Sequence, residues 1–342
     1  MKKLKVVLSL VLVFAIALTV CACKTNAPVE EAAAPAEGAE ENAEQKVYNI
    51  AYVTPSIDVP FWRYMAAGIE NKAAEMGNVK VTVYDSKNSA DMQYSNVQDV
   101  VTKKFDGMII SPCDSASCVA ALDLCEEAGI PVGLSDIGTD GGKYVVFVKT
   151  NNFDGAKAGG EYLASFLKEG DKVAQINGPL ARQNQQDRKA GFEAGIMTAN
   201  VDLVDFRQME QENRDEGESF TQDYLTAYPD LKAIFCTSDQ AAMGCLAACQ
   251  AAGRDDVLIL GFDSNEDLVK EIEAGTIKGT CAQQPMLMVS TALENLIAYM
   301  EGQPYESEVE VETLLVTVDN FAETYDTLAK TAMIIDKYLG WR

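Results

Sequence analysis

The chain has 342 residues, 48% of them hydrophobic, enough to bury a sizeable core and more natural for two domains than for one. Its 28 Lys and Arg stand against 52 Asp and Glu, and so acidic a surface without a basic stripe repels phosphate backbones and argues against a nucleic-acid partner. There is no histidine, so any general acid–base chemistry would fall to carboxylates.

The first 23 residues carry Lys2, Lys3 and Lys5, an apolar run from Val6 to Leu18 interrupted only by Ser9, then small residues and cysteines, the layout of a secretory signal. Cys23 follows Val20-Cys21-Ala22, which resembles the lipobox at which bacterial lipoproteins are cleaved and lipidated; Cys21 is the weaker candidate, because Val20 would then fill the small-residue position. An ordinary signal peptide or a retained anchor is the alternative, although the run is short for a span of roughly 20 residues. Without the three signal lysines the exported chain keeps 25 of its 28 basic residues against 52 acidic ones, a net charge of −27. Residues 24–46, "KTNAPVEEAAAPAEGAEENAEQK", are poor in large apolar groups and read as an acidic tether.

From residue 47 onward β-branched runs alternate with helical stretches. A short apolar run, Asn49 to Val53, leads into "TPSIDVPFWRYMAAGIENKAAEMG", where Pro60 suits a first helical turn and sets Phe61 and Trp62 at a strand-to-helix junction. The segments 79–84, 107–111, 130–134, 172–176, 233–237 and 257–262 read as strands, and 90–104, 115–128, 153–168, 184–198, 214–227 and 239–252 have helical apolar spacing. This alternation predicts right-handed βαβ units and a doubly wound α/β architecture, with a parallel sheet covered on both faces. The pattern restarts after "KYVVFVKTNNFDG", which puts a domain boundary near residue 150, with crossings back near 283 and again near 313 that would make a hinge.

Enzyme motifs fail one by one. The nearest stretch to G-x-S-x-G, Gly133 to Ile137, lacks the final glycine. "GTDGGK" at 138–143 misses the phosphate-loop spacing, and no dinucleotide glycine fingerprint follows the first strand. Paired carboxylates leave a glycosidase open on chemical grounds. Past the lipobox pair there are seven cysteines, at 113, 118, 125, 236, 245, 249 and 281; the odd count and apolar contexts suit buried thiols rather than disulfides. Their spacings match no zinc pattern, so no metal and no cofactor is expected.

Polar groups close the strands: Asp136 ends "GIPVGLSD", Ser238-Asp239 ends "AIFCTSD", Asp263 ends "VLILGFD" and Gln283 ends "GTCAQ". Ligands of open α/β sheets bind outside the carboxyl ends of the strands. Carboxylates there can accept hydrogen bonds from hydroxyls while aromatics pack on an apolar sugar face. Asp239 is read as a helix cap, whereas Asp136 and Asp263 are read into the pocket.

Taken together, "VPFW" (59–62), "NVQDVVTKKFDGMIISPCD" (96–114), "AGIPVGLSD" (128–136), "QDRKAGF" (186–192), "YPDLKAIFCTSDQAAMGCLAACQAAG" (228–253), "VLILGFD" (257–263) and "GTIKGTCAQQP" (275–285) resemble the ribose-type family of bacterial sugar-binding proteins, the solute receptors of ABC transporters. The likeness runs from about residue 47 to 318. It implies two doubly wound Rossmann-like domains joined by a three-strand hinge, the type I periplasmic-binding fold. The domains would be 47–150 plus 284–312 and 151–283 plus 313–342. It further implies Phe61 and Trp62 as stacking aromatics, Asp136 as a hydroxyl acceptor, and Arg188, Asp263 and Gln283 as polar contacts, with Ser238 where the family has an asparagine. An Arg188 on the helix surface, paired with Asp187 or Glu193, is the other reading. Val59, Ile137 and Glu212 stand where ribose receptors carry an asparagine, an arginine and an aromatic, which argues against ribose itself. Asp136, Asp263 and Glu212 outweigh Arg188, so a neutral sugar or polyol is expected.

The resulting expectation is a monomeric, lipid-anchored extracytoplasmic receptor that delivers its ligand to an ABC permease and ATPase. A sensor reporting to a chemoreceptor or histidine kinase, and an exported carbohydrate-active enzyme, are the competing readings. Only two tryptophans occur, Trp62 and Trp341.

Overall fold

The computed structural model describes residues 46–324. The signal segment, Cys23, residues 24–45 of the tether and Trp341 lie outside the described residues.

The first half of the chain runs β1 (Tyr48–Thr54), α1 (Pro60–Met76), β2 (Val79–Asp85), α2 (Ala90–Thr102), β3 (Gly107–Ile110), α3 (Cys118–Ala128), β4 (Val132–Ser135) and β5 (Val146–Thr150). It continues with α4 (Asn152–Ala164), β6 (Lys172–Asn177), α5 (Gln183–Ile196), β7 (Asp202–Gln208), α6 (Arg214–Ala227), β8 (Leu231–Cys236), α7 (Asp239–Ala251), β9 (Leu258–Phe262), α8 (Glu266–Ala274) and β10 (Gly279–Ala282). It ends with α9 (Pro285–Met300), β11 (Glu308–Val311) and β12 (Leu314–Thr317).

Two six-stranded sheets result, ordered β2-β1-β3-β4-β5-β11 and β7-β6-β8-β9-β10-β12, so one winding is used twice. All neighbours are parallel except β10 and β12, which pair antiparallel, a departure from the purely parallel sheet expected. The reason is the crossing itself: β12 starts beside the end of β10 and runs back down the sheet, Ala282 facing Leu314 and Gly279 facing Thr317. The chain changes sheet three times, between Thr150 and Asn152, between Ala282 and Pro285, and between Val311 and Leu314. We call the first sheet with α1 to α3 and α9 the first lobe, and the second sheet with α4 to α8 the second lobe.

Period-two alternation places the core. In β1, Ile50 and Tyr52 join Phe61, Trp62 and α9 on one face, while Ala51 and Val53 join α2 and α3 on the other. Burying each such large apolar side chain contributes about 1.5–3 kcal/mol. The second sheet likewise has a cluster on each face.

The helix that carries Arg188 is held unusually close to its neighbour. A Cβ at Gly191 would lie 2.1 Å from the Phe153 carbonyl, and one at Gly195 would lie 2.1 Å from the Lys157 carbonyl. Bare glycines let α5 seat directly on α4. The strands β5, β7, β11 and β12 are missing from the strands expected above. β7 is a partly exposed edge strand with Asp202, Asp205 and Arg207 breaking its apolar residues, and β11 and β12 are four-residue pieces.

Candidate functional site

Every expected ligand residue of the described region lies at the carboxyl end of a strand or on the helix after it. Phe61, Trp62, Asp136, Arg188, Ser238, Asp263 and Gln283 line one cavity of ≈ 30 Å³ between the lobes. Val59, Arg182, Asn184, Gln185, Glu212, Asp239 and Gln240 complete it.

The aromatics come from the start of α1. Pro60 occupies its first turn, and the N–H of Trp62 donates to the Val59 carbonyl at 3.1 Å. The two rings meet edge to face, centroids 4.8 Å apart and planes at 87°. Both rings belong to the core cluster of the first lobe as well as to the cavity wall. Each ring therefore both packs the core and faces the cavity.

Asp136 follows β4 with φ 69°, a left-handed conformation that aspartate tolerates better than most side chains. Its Oδ2 accepts from Nδ2 of Asn184, across the lobes, at 3.0 Å, while its Oδ1 is buried with no hydrogen-bond partner. Burial pushes its carboxyl up to about 7, against the pull of the Arg188 charge.

Arg188 is 2% exposed, which overturns the surface reading: Lys189, not Arg188, pairs with Glu193. Its Nε donates to Oδ1 of Asn152 and its Nη1 to the Thr237 carbonyl, both at 2.8 Å. The guanidinium lies 3.9 Å from the centroid of the Phe262 ring, and Nη1 is 3.8 Å from Oδ1 of Asp263. Asp263 also accepts from Nε2 of Gln283, whose Oε1 accepts from the Thr150 hydroxyl at 2.7 Å. A single polar chain thus runs from the second lobe through one interlobe crossing to the end of β5.

The capping expectation for Asp239 is corrected. Ser238 is the N-cap of α7, accepting from the Ala241 N–H at 3.3 Å, so Ser238 both caps and lines the cavity. Asp239 instead accepts from the Asn265 N–H at 3.2 Å and from Gln240 at 3.1 Å, and burial raises its carboxyl to about 7. Asp263 is no cap either, because Asn265 caps α8.

Sequence reasoning missed Arg182, Asn184 and Gln185. They sit in the polar run "RQNQQDR" at the start of α5, whose two arginines six residues apart were the available signal. Nε of Arg182 donates to the Cys113 carbonyl at 2.9 Å and Nη2 to Oδ1 of Asn88 at 2.6 Å, both across the lobes, while Nη1 pairs with Glu212. All seven cysteines of the described region are free and buried, and burial drives the Cys113 thiol up to about 12. Among the described residues no group of three or more Cys, Asp or Glu is placed to hold a metal ion.

The fold that frames this cavity is shared with known proteins. The family model described as periplasmic binding protein domain matches residues 50–304. The chain belongs to this family. Among periplasmic binding proteins, it is 28% identical to the ribose import binding protein of Bacillus subtilis (strain 168) over 273 residues, covering 80% of this chain and 88% of that protein. It is 31% identical to the D-ribose/D-allose-binding protein of Pseudomonas aeruginosa over 232 residues, covering 65% and 72%. The solved Caulobacter myo-inositol binding protein, bound to myo-inositol, superposes with a TM-score of 0.76 at 27% identity, covering 81% of this chain and 95% of that one. Among the described residues no helix is long and apolar enough to cross a membrane.

Proposed function

We propose that this chain is an extracytoplasmic solute receptor that takes a neutral sugar or polyol into the interlobe cavity and delivers it to an ABC importer. The observation that carries this reading is the convergence of an aromatic pair, Phe61 and Trp62, with the unpartnered, buried Oδ1 of Asp136 and the polar chain Arg188–Asp263–Gln283. An aromatic platform takes an apolar ring face, and carboxylates and amides take hydroxyls. Both arginines of the cavity are already matched to carboxyl groups, Arg182 to Glu212 and Arg188 to Asp263, which leaves no uncompensated positive charge for an anionic ligand.

In this reading residues 47–150 plus 284–312 and residues 151–283 plus 313–342 are the binding domains. The three crossings are the hinge about which ligand biases opening and closing. Phe61, Trp62 and Asp136 bind from the first domain, Arg188, Ser238 and Asp263 from the second, and Gln283 from the hinge. The receptor works as a monomer held to the cell membrane through lipid on Cys23, with residues 24–46 as the tether.

A thermal-shift panel of pentoses, hexoses and polyols tests the reading. A ligand at about 100 times its dissociation constant stabilises the folded state by roughly 2.7 kcal/mol, a shift that is easy to see. If no member of the panel raises the melting temperature, the reading fails. Recovery of the bound compound unchanged after long incubation separates a receptor from an enzyme. Mass spectrometry of the mature amino terminus tests the anchor: a chain that does not begin at a lipid-modified Cys23 removes it.

A further inference from the structure

The cavity has two unlike sides. The first lobe supplies Val59, Phe61 and Trp62 with the single carboxyl group of Asp136, whereas every lining side chain from the second lobe is polar or charged. Central to that second side is the Arg182–Glu212 pair, with side chains only 3% and 10% exposed.

This pair is built into the fold. Glu212 itself takes a left-handed backbone, φ 51°, and its Oε1 accepts from Nε2 of Gln185 at 3.3 Å. Gly178 leaves the space that both occupy: a Cβ there would lie 2.3 Å from Oε1 of Glu212 and 2.8 Å from Cδ of Gln185. Arg182 is pinned to the first lobe through Asn88 and the Cys113 carbonyl. A guanidinium has five N–H donors, and those contacts together with Glu212 use three of them. The pair therefore still offers two charged donors, and a carboxylate beside them still has acceptor capacity.

Resting on the receptor reading above, we propose that the Arg182–Glu212 pair selects ring polyols with one apolar face and one hydroxyl-bearing face. The apolar face packs on Phe61 and Trp62. An axial hydroxyl on the other face donates to Glu212 and accepts from Arg182. A ring whose hydroxyls are all equatorial has two similar apolar faces, and one of them would cover the charged pair without satisfying it. Such a ring loses about tenfold or more in affinity, the equivalent of one hydrogen bond to a charged group.

Titration calorimetry of the protein with isomers that differ at one ring carbon tests this, using myo-inositol against scyllo-inositol and the methyl β-pyranosides of D-galactose and D-allose against that of D-glucose, whose fixed anomeric centre keeps every ring hydroxyl of the glucoside equatorial. In whichever skeleton binds, the isomer with the axial hydroxyl should be preferred by about tenfold or more. In the double variant Arg182→Leu/Glu212→Leu the preference should fall to within about threefold or invert, and in Arg182→Gln/Glu212→Gln it should shrink but keep its sign. The second variant keeps the test decisive if the first does not fold. Equal binding of the isomers by the parent protein, preference for the all-equatorial isomer, or an unchanged ratio in every variant that folds overturns the inference and leaves the receptor reading standing. Absence of binding by every sugar and polyol sinks that reading and the inference with it.

Discussion

Asp136 and Asp263 occupy matching places in the two sheets. Each follows the fourth strand in its sheet order, β4 or β9, and each has a left-handed backbone, φ 69° and 70°. Each donates its N–H to the neighbouring strand, to the Val148 carbonyl at 2.9 Å and to the Cys281 carbonyl at 3.1 Å. The repeated turn brings one buried carboxylate from each lobe to the same cavity. Non-glycine residues in such conformations cost energy that the surrounding structure must hold, and they cluster at functional sites.

The first prediction concerns the unpartnered oxygen of that pair. Asp136→Asn keeps a side chain that tolerates positive φ and keeps an oxygen for Asn184 to donate to, but replaces the unpartnered carboxyl oxygen with an amide NH2 that cannot accept. Ligand affinity should fall by about 1.5–3 kcal/mol, while the melting temperature of the protein without ligand holds or rises. Calorimetric titration and thermal melting read the two effects separately, and unchanged affinity would take Asp136 out of the binding set.

The second prediction is a pH trend in stability. Asp136 and Asp239 are held up to about 7 by burial, against about 3.9 in an unfolded chain. Between those values the folded chain keeps protons that the unfolded chain has released, so stability is full below the lower value and falls as pH rises towards the upper one. Carboxylates held low act only in more acidic solution, as Asp99 does beside Lys103. Melting temperature should therefore drop from about pH 5 to about pH 7.5, and Asp136→Asn should flatten the slope. A slope that is flat in the parent, or unaltered in the variant, contradicts this.

How much of this was legible depended on the kind of signal. Asp136, Asp263 and Gln283 could be read because they end apolar strands, where a polar residue interrupts a short run of β-branched and aliphatic residues. Phe61 and Trp62 stood out because Pro60 fixed the helix start. Arg182, Asn184 and Gln185 could not be read the same way, since a polar helix start looks the same whether it faces water or a second lobe. Arg188 was ambiguous from sequence for that reason, and only its burial against Phe262 and Asn152 decides it. The edge strand β7 was hidden because its residues are only partly buried and carry no apolar run.

Arg188 supports the third prediction. Arg188→Ala removes the donor to Asn152 and Thr237 and leaves Asp263 without its nearby charge. Breaking a buried charge pair by removing one partner costs about 3–5 kcal/mol, so the variant should melt early as well as bind weakly. Arg188→Lys, which keeps the charge but loses the fork of donors, should recover part of the stability and little of the binding. Normal melting and normal affinity in the alanine variant would contradict the burial described here.

Gly191 gives the fourth. A methyl group there would meet the Phe153 carbonyl at 2.1 Å, and neither backbone can yield without moving α5 off α4. Gly191→Ala should destabilise the protein by about 1–3 kcal/mol through overpacking. Because α5 carries Arg188 and Asn184 into the cavity, affinity should fall although the residue touches no ligand. Stability loss with intact affinity would show that the helix shifts without disturbing the cavity.

The last prediction uses the two tryptophans, of which Trp341 is the next-to-last residue. Trp62 is 5% exposed, lies edge to face with Phe61, lines the cavity and packs into the first-lobe core. In a Trp341→Phe background the emission of Trp62 should change saturably as ligand is titrated, because its surroundings change when a ring face replaces water or a neighbouring side chain. Trp62→Ala should show both of its roles at once. Cavity creation in the core should cost about 3–5 kcal/mol of stability, and lost apolar contact should weaken binding by about 1–3 kcal/mol. Trp62→Phe, which preserves a ring in the core, should recover most of the stability while leaving a measurable loss of affinity, so the two effects come apart in one series. Flat emission through saturation, together with a Trp62→Ala protein that melts early but binds normally, would assign the ring to packing alone and leave Phe61 as the ligand's aromatic partner.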